Sequence, residues 1–221
     1  MTEYTDIAKQ IIEALQNKHL DNSNFVSLVP IALGIYALAV YSKKYSLALM
    51  GLAFFMADVC NELWNTIVMF ASGYAPVWGT PVNDGSTLIL LPGWTLNIVF
   101  MFLMGGIPFA LFAEALPPSE KKFLGLSRNQ WIMSMVGSTL ALIVEKLLNM
   151  GGLLTWEWQW WGAGPWYSMI PVFVLGYLWF FMFAFNVYNI KTRKGQFIAL
   201  GSLTGINLVM FIVCLAKGWI I

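Results

Sequence analysis

The 221-residue chain is 59% hydrophobic and only 10% charged, with a mean hydropathy of +0.70, which is too little polar surface for a soluble globule. A net charge of +1, with no basic patch outside short loops, leaves no electrostatic footprint for nucleic acid. One histidine and two cysteines exclude a histidine-rich metal centre, and no CxxC pair supports redox exchange.

The first 23 residues are polar and form a segment of their own. Within them Ile7, Ile11, Ile12 and Leu15 recur at helical spacing, predicting an amphipathic helix over 5–18 that lies on the membrane surface. No basic start runs directly into a short apolar core, so no cleavable signal is expected. From residue 24 to 221 the chain reads as a transmembrane bundle. Apolar runs at about 25–41, 45–71, 88–116, 129–154 and 166–190 approach or exceed the ~20 residues a spanning helix needs. A sixth, about 195–217, carries Ser202, Thr204 and Asn207 but is long enough to span. The predicted fold class is therefore all-α: a polytopic membrane bundle of about six helices plus the surface helix. Cys60 and Cys214 both fall in spans, where no disulfide is expected.

Charge in the short loops gives the orientation. Lys43, Lys44, Lys121, Lys122, Arg128, Lys191, Arg193 and Lys194, eight of the twelve basic residues, follow the first, third and fifth spans. The positive-inside rule makes those loops cytoplasmic and puts both termini outside. The outer loops 72–87 and 155–166 hold Tyr74, Trp78, Trp156, Trp158, Trp160, Trp161 and Trp166. An anchoring aromatic belt accounts for them more readily than a lid over a substrate. His19, the lone histidine, sits in the outer tail.

Two acidic residues stand inside apolar runs: Glu62 on the second span and Glu145 on the fourth. An ionisable group at mid-membrane costs at least about 2.5 kcal/mol, so such groups face a cavity or a partner and mark function. The two are related. Glu62 is followed sixteen residues later by Trp78-Gly79, Glu145 at the same spacing by Trp161-Gly162, and prolines follow at Pro81 and Pro165. This is a faint tandem repeat of helix, aromatic outer loop and returning helix. At about 1.5 Å per residue, Glu62, Asn97 and Glu145 are predicted about 12–15 Å below the outer ends of their helices. Asp58 shares a face with Glu62, Asn65 with Asn61, and Asn149 with Glu145. Asn97, Asn149 and Asn207 serve equally well as interhelical hydrogen-bonding glue. Lys146 adjoins Glu145 and is placed either to snorkel outward or to neutralise a carboxylate.

The chain lacks a nucleotide-binding Gly-rich turn, a Ser-His-Asp set and paired aspartate-rich motifs for magnesium diphosphate. No metal and no cofactor are expected. Carboxyls, asparagines and aromatics remain. A carboxylic acid in an apolar cavity favours its neutral form and can act as a general acid, while aromatic faces stabilise a developing cation. That combination suits protonation of an alkene or epoxide in an isoprenoid dissolved in the bilayer.

Asn61-Glu62-Leu63-Trp64-Asn65 on the second span and Leu96-Asn97-Ile98-Val99-Phe100-Met101 on the third resemble the membrane-bound terpene cyclases of meroterpenoid and indole-diterpene pathways. The stretch Trp156 to Trp179 is similar to carotenoid hydratases and small membrane carotenoid cyclases. Together these cover about half of the chain. The resemblance implies a cyclisation begun by buried acids. The cyclases carry their second acid on a late helix, whereas the last span here has no carboxylate, so Glu145 or Asp58 must supply it. On this basis Glu62 is the expected proton donor, Glu145 a second acid or cation stabiliser, and Asp58 a proton partner. Asn65, Asn97 and Asn149 are expected to orient substrate, with Trp64 and Trp94 near the cation.

A small transporter or channel would also use midplane carboxylates, with the repeat supplying its symmetry. A receptor with a Schiff-base lysine has only Lys146 and Lys217 to draw on, and a structural assembly subunit is a further possibility. The expected partners are membrane lipid and a hydrophobic small molecule; the oligomeric state is left open.

Overall fold

The computed structural model describes residues 3–16, 22–81, 88–119 and 122–220. His19 and Lys121 lie outside the described residues, as do residues 82–87 of the first outer loop. The described chain forms α1 (Asp6–Gln16), α2 (Asn22–Tyr41), α3 (Tyr45–Ser72), α4 (Leu96–Ala115), α5 (Arg128–Met150), α6 (Trp166–Asn189) and α7 (Arg193–Ala216). Helices α3 to α7 are long and apolar enough to cross a membrane, and α2 carries the shorter apolar stretch Leu28–Tyr41. Two antiparallel hairpins join helices: β1 (Ile89–Leu91) with β2 (Trp94–Thr95), and β3 (Lys122–Phe123) with β4 (Leu126–Ser127).

Helix starts follow their sequence signals. Thr95 caps α4, accepting from the Ile98 amide at 3.5 Å. Ser127 and Gln130 close a capping box on α5, and Thr192 accepts from the Gly195 amide at 3.1 Å to begin α7. Helix α3 is central, packing against α4, α6 and α7. Its Met50, Ala53, Phe54 and Ala57 meet Phe180, Phe181 and Phe185 of α6 in the main core, where Phe54 and Phe181 lie 4.7 Å apart.

The basic loops gather at one end of the bundle. There Lys44 approaches Glu114 at 3.8 Å, Tyr188 bonds Glu114, and Asn189 donates to the Gly125 carbonyl at 3.0 Å. The Trp-rich loops and the first and last described segments share the other end: the Thr5 amide donates to Tyr74 O at 3.0 Å, and the Trp219 ring stacks on Phe70 at 5.8 Å.

Three expectations are corrected. The third helix begins at Leu96 rather than 88, because Pro92-Gly93 turns the preceding apolar residues into a hairpin. The fourth span ends at Met150, followed by Gly152 at φ +72°, rather than running on to 154. Helix α1 is amphipathic but its apolar face does not lie on lipid. Ile11 and Leu15 are buried against Met69 of α3 and Ile89 of β1.

Candidate functional site

The half of α3 nearer the Trp-rich loops carries Asp58, Asn61, Glu62 and Asn65, all buried. Asp58 and Glu62, one helical turn apart, line a small cavity of about 60 Å³ together with Glu145 of α5. None of the three is more than 6% exposed. The opposite wall is α6. Its segment Val172–Leu178 is wound as a π-helix, a form that occurs frequently at functional sites. Gly176 and Tyr177 from this wide turn line the cavity, and the Leu175 carbonyl accepts from Asn61 Nδ2 at 2.8 Å.

Each carboxyl is held by one indole. Trp78 Nε1 donates to Glu62 Oε1 at 2.6 Å, Trp94 Nε1 to Asp58 Oδ2 at 2.8 Å, and Trp156 Nε1 to Glu145 Oε1 at 3.3 Å. The second oxygens, Glu62 Oε2 and Glu145 Oε2, are buried and accept from no described group. The Tyr177 phenol is the other polar neighbour of Glu145, without closing a hydrogen bond on Oε2. Trp161, whose Nε1 likewise has no partner, stacks on Trp78 at 5.2 Å and forms part of the cavity wall.

The Trp-rich loops fold inward to supply Trp78 and Trp156, and the β1–β2 hairpin supplies Trp94. Gly79 and Thr155 exchange backbone hydrogen bonds at 3.0 and 2.8 Å, joining the two Trp-rich loops. Two glycines permit the closeness. A Cβ at Gly93 would collide with the Trp78 indole and stand 3.0 Å from Glu62 Oε1. Gly162 has φ +71°, and a Cβ there would collide with the Trp156 ring.

A second, apolar cavity of about 290 Å³ lies between α4, α5 and α6 and shares Ile98, Phe102, Glu145, Leu154 and Tyr177 with the first. Leu140 and Val144, on its α5 wall, are about half exposed on the helix surface. Acid cavity and apolar groove thus adjoin across a shared wall that includes Glu145.

The sequence-derived residues divide accordingly. Glu62, Glu145 and Asp58 come together, and Trp94 holds one of them. Asn65 does not face the cavity: its Oδ1 accepts from the Val77 amide and its Nδ2 donates to Trp78 O, both at 2.7 Å, so it fixes the loop that carries Trp78. Asn97 sits in the first turn of α4 rather than deep in a helix and is not part of the cavity wall. Asn149 donates to the Leu154 carbonyl at 3.2 Å and closes the end of α5. Trp64 packs behind the wall against Trp78 and Trp161. Asn207 bridges helices, donating to Met56 O at 2.9 Å. Lys146 forms no ion pair among the described residues; its Nζ lies 5.4 Å from the centre of the Trp156 ring.

Sequence reasoning missed Tyr177 and the donor roles of Trp78 and Trp156. The sixteen-residue spacing from Glu62 to Trp78 and from Glu145 to Trp161 reads only as a repeat; the structure places Trp78 on Glu62 but Trp156, not Trp161, on Glu145. Trp78, Trp156 and Trp161 are buried, whereas Trp166 is 79% exposed, so the aromatic loops serve both as wall and as belt.

This is an integral membrane helix bundle with an internal cluster of carboxyls and indoles at one end. The chain belongs to an uncharacterized membrane protein family, whose model matches residues 5–216. It is also 30% identical over 210 residues to an uncharacterized protein of Archaeoglobus fulgidus, covering 95% of each chain. No solved structure matches.

Proposed function

We propose that the protein is a membrane enzyme that protonates an alkene or epoxide of an isoprenoid lipid, leading to cyclisation, hydration or isomerisation. One observation carries this reading: three carboxyls in an aromatic-walled cavity that shares a wall with an apolar groove. A hydrocarbon enters laterally past Phe102 and Leu154, and the neutral Glu62 carboxyl transfers its proton to an alkene carbon. The π pair becomes the new C–H bond, leaving a tertiary cation and a Glu62 carboxylate. Faces of Trp161, Phe102 and Phe180 stabilise the cation. The cation loses a neighbouring proton, or first closes onto a second alkene or adds water and the resulting cation or oxonium loses one; the carboxylate of Glu145 or Asp58 takes that proton and passes it back to the Glu62 carboxylate, so the acid is restored with no change of oxidation state. Tyr177 joins the expected residues as a hydroxyl beside Glu145.

The orientation is part of the proposal. By the positive-inside rule the basic loops are cytoplasmic, and the acid cluster lies in the outer half of the membrane.

The test is incubation of purified protein in D₂O with linear polyprenes and polyprenyl epoxides. An alkene-protonating enzyme gives product carrying one deuterium at carbon; from an epoxide, ring opening and rearrangement give an isomeric product. Glu62→Gln keeps shape but loses the acid, and turnover falls about 100-fold or more while the protein still folds. No product from any polyprene, together with solute flux in liposomes that Glu62→Gln abolishes, would establish a transporter instead.

A further inference from the structure

A cavity of about 460 Å³ lies on the other side of α3, between that helix, the β1–β2 hairpin and α7. It shares no lining residue with the acid cavity or the apolar groove. Its walls are apolar apart from Trp94, Thr204 and Asn207. The donors of all three are already engaged: Trp94 Nε1 on Asp58, Thr204 Oγ1 on Leu200 O at 2.9 Å, and Asn207 Nδ2, with its two N–H groups, on Met56 O at 2.9 Å and Met56 Sδ at 4.0 Å. Asn207 Oδ1, in a residue only 5% exposed, accepts from no described group. The polar capacity left in this cavity is therefore acceptor only, and its complement is a ligand that brings a donor.

Depth narrows the ligand further. Asn207 is nine residues from the end of α7 at Ala216, about 14 Å along the helix, which is close to half the ~30 Å hydrocarbon thickness. Phospholipid headgroups stay at the interface and do not present a donor there. A long hydrocarbon with a single hydroxyl does.

We infer that this cavity is a second ligand site, binding a lipid alcohol whose hydroxyl donates to Asn207 Oδ1. Its chain lies along Leu63, Leu208 and Phe211, and Trp94 forms a wall common to this ligand and to Asp58. Nothing in the inference requires the acid chemistry, so the two are tested separately.

The probe is tritiated geranylgeraniol, bound to the full chain in phosphatidylcholine nanodiscs, with unlabelled geranylgeraniol and its methyl ether as competitors. The ether has the same chain but no donor and is expected to compete about tenfold less well, the difference one hydrogen bond supplies. In Asn207→Leu the alcohol and the ether compete equally. Equal competition in the parent protein, or a preference that survives Asn207→Leu, overturns the inference. Should Asn207→Leu fail to fold, Leu208→Trp, at a position 55% exposed, fills the cavity from its lipid side. Loss of alcohol binding in that variant supports the site, and unchanged binding places the alcohol elsewhere and overturns it. Deuterium incorporation by Leu208→Trp stays at the parent level whichever way the binding result falls.

Discussion

At the scale of the residue, the pairing of carboxyl with indole explains how three acids persist in an apolar bundle. Each has one oxygen satisfied by a donor that cannot itself ionise, which lowers the cost of burial without supplying a positive charge. Trp78 and Trp161 stack on each other, yet only Trp78 has a partner for its N–H. Trp78→Phe thus leaves Glu62 Oε1 without its indole donor and should cost about 1–3 kcal/mol of stability. Trp161→Phe removes an N–H that has no partner among the described residues and should cost clearly less. Thermal unfolding of the two variants in the same detergent compares them, and equal losses would show that ring packing, not the hydrogen bond, dominates. Glu62, Glu145 and Asp58 were legible because charge in an apolar run is conspicuous. The asparagines were not, because composition cannot say whether an amide faces a cavity or the backbone of its own loop. Asn65 and Asn149 are each held by main-chain groups within thirteen residues of themselves.

At the scale of the element, the spans were legible from hydropathy, whereas their ends depended on turns. Pro92-Gly93 inside an apolar run was the available signal for the hairpin that shortens α4. Nothing in the sequence marks the π-helical turn of α6, since it is stabilised by partners from elsewhere, Asn61 among them. The outer loops depend on backbone conformation in the same way. Gly162→Ala imposes a side chain at φ +71° and drives it into Trp156, the donor to Glu145. A loss of at least about 1 kcal/mol is expected from the backbone alone. Turnover should fall as well, which separates this variant from Gly152→Ala, where φ is +72° but a Cβ has open space. If both variants lose stability and activity alike, contact with Trp156 is not what requires Gly162.

At the scale of the whole molecule, charge segregates: basic loops at one end, and Trp-rich loops, both termini and α1 at the other. An accessibility reporter placed after Lys44 or at 191–194 should read cytoplasmic and one at the C-terminus outside. A cytoplasmic C-terminus would invert the proposed orientation. Helix α1 is fastened at the far end partly through Thr5 Oγ1, which donates to Glu157 Oε2 at 2.8 Å. Partial burial, and secondarily the charge of Asp6, raise the Glu157 carboxyl above its usual range despite the opposing hydrogen bond from Thr5. A carboxyl whose pKa is raised in the folded state favours that state most when protonated. Docking of α1 should therefore be tightest in acid and weaken as pH rises through the raised value. Hydrogen exchange of the Ala8 and Ile11 amides across pH, corrected for intrinsic rates, reads this directly. Glu157→Gln should flatten the dependence, and a dependence that persists in that variant would show that Glu157 is not its source.

The attachment of α1 to Tyr74 and Glu157 also fixes an order of events during biosynthesis. The helix is made first, but one of its side-chain anchors is encoded about 150 residues later. At translation rates of about 5–20 residues per second, α1 waits roughly 8–30 s beside the translocation machinery before its groove is complete. Met69 and Ile89, the apolar partners of Ile11 and Leu15, are made well before that interval ends, so only the Glu157 anchor is missing, and a nascent chain stalled before residue 157 should leave α1 more open to protease than a finished chain does.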